Sequence, residues 1–218
     1  MKDSILIYSG GLDSTTMLYE FQHSIALAVS FDYGANHNSR EIDCAKQHCK
    51  KLAIEHIIIP LDFMHRYFRS SLLSGDDAIP DAEYDKENMA STVVPFRNAI
   101  MLAIATGLAE SRKLKHVMMA NHGGDHDIYP DCRPQFVNAM NKTMQAGTYD
   151  AITLLTPYTN ISKTEIARKG AELGIDYSTT WSCYRGAKYH CGTCATCRER
   201  RQALLQAGIK DNTIYQNN

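Results

Sequence analysis

The chain has 218 residues, 44% of them hydrophobic and 22% charged, with 23 Lys and Arg against 24 Asp and Glu. A chain of this size and make-up buries one sizeable core with room for a small appendage. Its near-neutral charge gives no electrostatic reason to expect a nucleic-acid-binding body. The longest apolar run, Ala99 to Ala105, is far too short to span a bilayer, so no membrane association is expected.

In chain order, Ile5 to Tyr8 reads as a buried strand, and four apolar residues are too few for a signal-peptide core. The strand runs into "SGGLDSTT" and then a helix-like stretch. Ile25–Phe31 is a second strand. In "HNSREIDCAKQHCKKLA", Ile42, Ala45, Cys49 and Leu52 recur at three- and four-residue steps, which predicts one buried helical stripe. His56–Pro60 is a third strand. Leu72 to Thr92 lacks a period and is long for a plain connection, so it reads as a lid or a substrate loop.

"RNAIMLAIATGLA" is apolar nearly all round and predicts an inner helix. His116–Asn121 and Ile152–Pro157 are further strands. "SKTEIARKGAELG" opens with Ser162 and Glu165 at capping-box spacing and ends at Gly174. Strands alternating with helices predict an α/β fold: a doubly wound parallel sheet with helices on both faces. Composition shifts near Trp181, dividing a main domain over residues 1–180 from a small Cys-rich unit over 181–218.

A strand, a glycine-rich turn and a helix start form an anion site, because glycines let backbone N–H groups approach and the helix N-terminus adds about half a positive charge. The hydroxyls of Ser9, Ser14 and Thr15 can donate to phosphate oxygens. Bare phosphate would repel Asp13, so a divalent cation is expected between them. The loop has neither the Gly-Lys-Ser/Thr of a Walker A motif nor the spacing of a dinucleotide fingerprint.

Seven cysteines are present, and Cys183, Cys191, Cys194 and Cys197 are spaced C-x7-C-x2-C-x2-C. Such crowding fits metal chemistry in a reducing cytoplasm better than a secreted disulfide framework. Four thiolates satisfy tetrahedral zinc and leave no open position, which makes the site structural. An iron–sulfur cluster is the competing reading, without the usual fourth Cys-Pro. Redox-active pairs are a third. His190 reads as a solvated loop residue, and "RERRQ" at 198–202 as a solvated helix face.

"HGGDHDIYPDCRPQF" follows the fourth strand, where loops line the ligand crevice of an open parallel sheet. There Asp125, Asp127 and Asp131 can accept from ring N–H and amino groups or hold magnesium, and Arg133 can grip a carboxylate. Arg97 and Asn98 start the inner helix. Arg97 suits a bound phosphate or carboxylate, or else a surface pair with an acid of residues 76–87. Lys163, in a helical first turn, reads as a phosphate contact or a solvated lysine. Cys132 reads as packing, and Cys44 and Cys49 as core or boundary residues.

The first loop resembles that of the ATP-pyrophosphatase (PP-loop) enzymes, which cleave ATP between its α and β phosphates. That resemblance implies ATP held by Tyr8, Ser9, Gly10, Gly11, Leu12, Asp13, Ser14, Thr15, Thr16, Met17 and Leu18. Taken with "VPFRN", "YPDCRPQF", "SKTEI" and "TWSCYRG…CGTCATCRER", nearly the full length is similar to the nitrile-forming 7-cyano-7-deazaguanine synthase family. Two departures are a Cys gap of seven where eight is frequent, and Phe96 where Gly is common.

The resemblance implies a five-stranded, adenine nucleotide alpha hydrolase-like sheet with a small zinc unit, and a homodimer. It implies a ligase that turns 7-carboxy-7-deazaguanine and ammonia into the nitrile through adenylated carboxyl and amide, with ATP, Mg2+ and structural Zn2+. Asp13, Lys163 and Arg97 are then the catalytic candidates, and Arg97, Asn98, Asp125, Asp127, Asp131 and Arg133 the substrate-binding ones. A tRNA sulfurtransferase of the same loop class is the alternative, and a non-catalytic nucleotide-binding regulator a second.

Overall fold

The computed structural model describes residues 2–73, 79, 81 and 83–216. Five strands, β1 (Ser4–Ile7), β2 (Ile25–Asp32), β3 (Glu55–Pro60), β4 (His116–Met118) and β5 (Thr153–Leu155), form one sheet in the order β3-β2-β1-β4-β5. Every pairing is parallel. The strand order reverses between β1 and β4, so the loops leaving these two strands diverge and open a crevice.

β4 and β5 stop earlier than their apolar runs. Past Met118 and Leu155 the chain keeps burying side chains, among them Met119 and Tyr158, in non-strand conformation. An apolar run records burial, and burial here continues into the loops that line the crevice.

The helices are α1 (Leu12–Glu20), α2 (Asn38–Lys51), α3 (Asp62–Tyr67), α4 (Lys86–Met89), α5 (Arg97–Ser111), α6 (Pro134–Ala146), α7 (Lys163–Glu172) and α8 (Ala195–Gln206). α2 buries Ile42, Ala45 and Cys49, the stripe its periodicity predicts. α5 packs on β1 and β4 and buries Ala99, Leu102 and Ala105. α7 begins with the predicted capping box: Ser162 Oγ accepts from Glu165 N, and Glu165 Oε2 accepts from Ser162 N. That box places Lys163 at the first helical position. Among the described residues no single helix is long and apolar enough to cross a membrane.

The Cys-rich segment is welded to the sheet core. Trp181 and the four cysteines belong to the same hydrophobic cluster as Ile5, Leu27 and Val29. Arg200, 1% exposed, threads under α8, where its guanidinium donates to the Thr180 and Thr213 hydroxyls, to Ser182 Oγ and to the Tyr177 carbonyl. The expected solvated face over 198–202 is therefore corrected at Arg200. A buried guanidinium needs its five donors met, and the loop carbonyl and hydroxyls here meet them.

Candidate active site

The crevice between the β1 and β4 loops is one open cavity. The glycine-rich loop lines it with Ser9, Gly11, Asp13 and Ser14, together with Asn121, His122, Asp125 and Lys163 and with Tyr33, His37, Glu41, Arg97 and Tyr184.

In the glycine-rich loop, Gly10 has φ +94°, and a Cβ there would run into the backbone carbonyl of Glu41, so only glycine fits. Its carbonyl accepts from Trp181 N at 3.1 Å, which fixes the loop to the Cys-rich segment. Ser9 Oγ accepts from Gly11 N at 3.1 Å and lies 3.0 Å from Ser14 Oγ. Gly11 caps α1 with no side-chain bond. The first-turn N–H groups of α1 accordingly meet the cavity without an internal acceptor from the cap.

Thr15, Thr16, Met17 and Leu18, expected around ATP, do not line the cavity. The helical period turns them inward, each 0% exposed. Thr15 Oγ1 bonds to Tyr8 OH at 3.1 Å, and Thr16 Oγ1 donates to the Leu12 carbonyl and meets Tyr177 OH. They support the loop from beneath. Gly10 likewise acts through its backbone, while Tyr8 and Leu12 do line the cavity.

Lys163 is neither solvated nor free. Its Nζ lies 2.5 Å from Glu199 Oε2 and 3.4 Å from Asp13 Oδ2. Burial alone would lower it, but Asp13, then Glu199 and Asp125, outweigh burial and hold it above the usual lysine range. His122 Nε2 is 3.5 Å from Asp125 Oδ1 and 3.9 Å from both Asp13 Oδ2 and Glu199 Oε1. Asp13 Oδ1 is buried with no hydrogen-bond partner. An unmatched carboxylate oxygen beside an anion-binding loop suits a divalent cation.

Arg97 Nη1 donates to Tyr33 OH at 3.1 Å, and its guanidinium stands over the Tyr33 ring. The acid partner expected from residues 76–87 falls partly outside the described residues. Asn98 lines the cavity, yet its amide donates to the Asp131 carbonyl and to Cys132 Sγ. Cys132, buried as expected of a packing residue, thus forms part of the wall.

Asp131, Asp127 and Arg133 do not line this cavity. Asp131 Oδ2 accepts from Asn98 N at 2.8 Å and so caps α5. Asp127 and Arg133 are exposed, and Arg133 Nε donates to the His126 carbonyl. Short 3-10 turns at Gly123–Asp125 and Pro130–Cys132 rotate successive side chains to different sides, so a dense run of acids delivers only Asp125 to the crevice. Of the 72–92 stretch, residues 74–78, 80 and 82 lie outside the described residues; Tyr84 lines the cavity and donates to Asp125 Oδ1 at 3.0 Å.

The four C-terminal cysteines are buried, their sulfurs all within 4.8 Å of one another, with Cys191 Sγ 3.9 Å from Cys197 Sγ. Thiolates about 2.3 Å from one tetrahedral ion lie about 3.8 Å apart, so the set fits a closed metal site. His190 corrects the expectation of a solvated loop: it is 3% exposed, lies 4.2 Å from the Trp181 ring, and its Nε2 accepts from Ser182 N.

Glu41, His37, Tyr33, Tyr184, Asn121, His122 and Glu199 were not legible as site residues. They lie on four separate stretches that only the strand order and the returning α8 bring together.

A doubly wound parallel sheet carrying a glycine-rich anion loop at its reversal point defines an α/β protein of the PP-loop type. Its overall path matches the solved structure of NMN synthetase from Francisella tularensis, with a TM-score of 0.53 at 14% identity over 96% of this chain and 78% of that one. The chain belongs to the QueC family, described as queuosine biosynthesis protein QueC, whose model matches residues 3–208. It is 57% identical over 215 residues to the 7-cyano-7-deazaguanine synthase of Porphyromonas gingivalis, covering 99% of this chain and 98% of that one. It is 47% identical over 217 residues to the enzyme of that name from Desulfotalea psychrophila, covering 99% of each.

Proposed function

We propose that the protein is an ATP-dependent ligase that converts 7-carboxy-7-deazaguanine and ammonia to 7-cyano-7-deazaguanine in queuosine biosynthesis. The observation that carries this reading is the near-full-length identity with relatives of that name. The cavity supplies what the chemistry needs: an anion loop and the guanidinium of Arg97, which donates to Tyr33 OH but has no carboxylate partner among the described residues.

The substrate carboxylate oxygen attacks the α-phosphorus of ATP, and the bond to the β-phosphate bridge breaks, giving an acyl-adenylate and pyrophosphate. Ammonia attacks the acyl carbon, AMP leaves, and a proton is lost to form the amide. The amide oxygen then attacks a second ATP, pyrophosphate leaves again, and loss of AMP and two N–H protons gives the nitrile. Ser9, Ser14 and the backbone amides of Leu12 and Asp13 hold the phosphates. Lys163 neutralises charge that builds on them, and Arg97 orients the acceptor carboxylate by paired bonds.

Asp13 and Asp125 are the groups to hold Mg2+, which when bound screens the phosphates from each other and from Asp13. Cys183, Cys191, Cys194 and Cys197 are the groups to hold Zn2+ in a purely structural role. A cytoplasmic homodimer belongs to the same reading, since a four-thiolate metal site suits a reducing compartment.

The test mixes protein, ATP, magnesium, ammonium and the carboxy-deazaguanine and looks for the nitrile by mass, with AMP and pyrophosphate as co-products. ADP in place of AMP, or no nitrile, would refute the reading. The sulfurtransferase alternative has no support among the relatives quoted, which carry the synthase name.

A further inference from the structure

One carboxyl lining the cavity has, among the described residues, neither a hydrogen bond nor an ion pair with a Lys or Arg. Asp125 accepts from Tyr84 OH and from His122 N. Asp13 faces Lys163 and the phosphate loop. Glu41 lines the cavity from α2 with its side chain 16% exposed, and among the described residues its carboxyl makes no hydrogen bond. The nearest polar partner is His37 Nε2 at 3.7 Å, beyond hydrogen-bond reach. Burial drives His37 down to about 3, so it stays neutral and does not balance the charge.

The position of Glu41 is tied to that of the glycine-rich loop. Its backbone carbonyl is the atom packed against Gly10, where no Cβ fits, so this residue and the loop can only move together. Its surroundings suit a flat ring. Tyr184 lies 5.0 Å from the His37 ring, and Tyr33 meets His37 edge-on at 6.5 Å.

A carboxylate has two acceptor oxygens side by side, and its match is a group with two N–H donors side by side. A guanine-type ring offers that pair in its lactam N1–H and 2-amino group. We propose that Glu41 is the specificity-determining residue that accepts the N1–H and 2-amino group of the deazapurine. The inference rests on the functional reading above and extends it to the ring edge.

The groups facing Glu41 agree with this role. Burial pushes its carboxyl up to about 8, against the opposing pull of Arg97. Its other ionisable neighbours are His37, the Tyr33 phenol and the Cys44 thiol. Two N–H donors arriving on the carboxylate favour its charged form. Binding of the deazapurine at pH 7 therefore expels a proton.

Calorimetric titration of 7-carboxy-7-deazaguanine and, separately, of MgATP into the wild type and Glu41→Gln tests this. Glu41→Gln is expected to bind the deazapurine about 10- to 100-fold more weakly and MgATP within about two-fold of the wild type. The wild-type heat at pH 7 should vary with the ionisation enthalpy of the buffer, and that of Glu41→Gln should not. Equal deazapurine affinity in the two proteins, or an equal loss of MgATP affinity, overturns the inference alone. A wild type that binds MgATP but no carboxy-deazaguanine overturns the functional reading, and the inference with it.

Discussion

Lys163 Nζ and Glu199 Oε2 lie 2.5 Å apart, joining the first turn of α7 to a helix 36 residues later that begins among the cysteines. Both side chains are largely buried, at 16% and 15% exposure. Removing one member of such a pair strands the other and costs about 3–5 kcal/mol. Asp13 still faces Lys163, so Glu199→Ala should fall at the low end, about 3 kcal/mol. Urea unfolding of Glu199→Ala, Lys163→Ala and the double variant checks this. A coupling below about 0.5 kcal/mol would mean that the pair is not an energetic unit.

Asp13 carries a buried, unpartnered oxygen beside the anion loop. Asp13→Asn keeps the shape and removes the charge a cation needs. Turnover to AMP should drop at least about 100-fold, with the unfolding midpoint little changed and the magnesium needed for half-maximal rate raised. A variant within about ten-fold of wild type would remove the cation from Asp13.

The cysteine knuckle reaches the phosphate loop through Trp181, the single tryptophan. Its indole N–H donates to the Cys183 carbonyl at 2.7 Å, and its backbone N–H holds the Gly10 carbonyl. Cys194→Ser should lose bound metal, an interaction on the order of 10 kcal/mol in small zinc units. In the wild type, chelation should shift Trp181 fluorescence and weaken ATP binding together. Metal analysis, emission spectra and a nucleotide titration read these. A metal-free variant with unaltered emission and ATP affinity would show that the knuckle and the loop are independent.

What was legible in the chain was its short-range chemistry. The Ser162–Glu165 box and the four-Cys spacing each need only a few neighbouring residues to define their geometry, and each is found in place. Glu199 was hidden because "RERRQ" has the look of a solvated face. A 3.6-residue period nonetheless turns Arg200 under the helix and brings Glu199 to a lysine far away in sequence. Asp127 and Arg133 were over-read because density of polar residues says nothing of direction. Phe96 holds φ +55° with its ring 66% exposed, a left-handed position that explains why glycine suits it. Glu41 had no local signal at all: it sits one residue before the buried stripe of an ordinary amphipathic helix.

His37 and Glu41, one helical turn apart, give opposite pH dependences to stability. Burial raises Glu41 from 4.5 to about 8 in the folded protein. Between those values the native state binds the extra proton, so stability falls as pH rises from 4.5 to about 8 and is flat above. Burial lowers His37 from 6.5 to about 3. There the unfolded chain binds the extra proton, so stability falls as pH drops from 6.5 to about 3. The two slopes cancel between pH 4.5 and 6.5, His37 alone acts below, and Glu41 alone acts between 6.5 and about 8. Each uncancelled slope is at most about 1.4 kcal/mol per pH unit. Glu41→Gln should therefore lose the decline between pH 6.5 and 8 while keeping the acid-side loss. Denaturant midpoints at half-unit intervals of pH resolve the two limbs. A decline above pH 6.5 as steep in Glu41→Gln as in the wild type would show that another group titrates there.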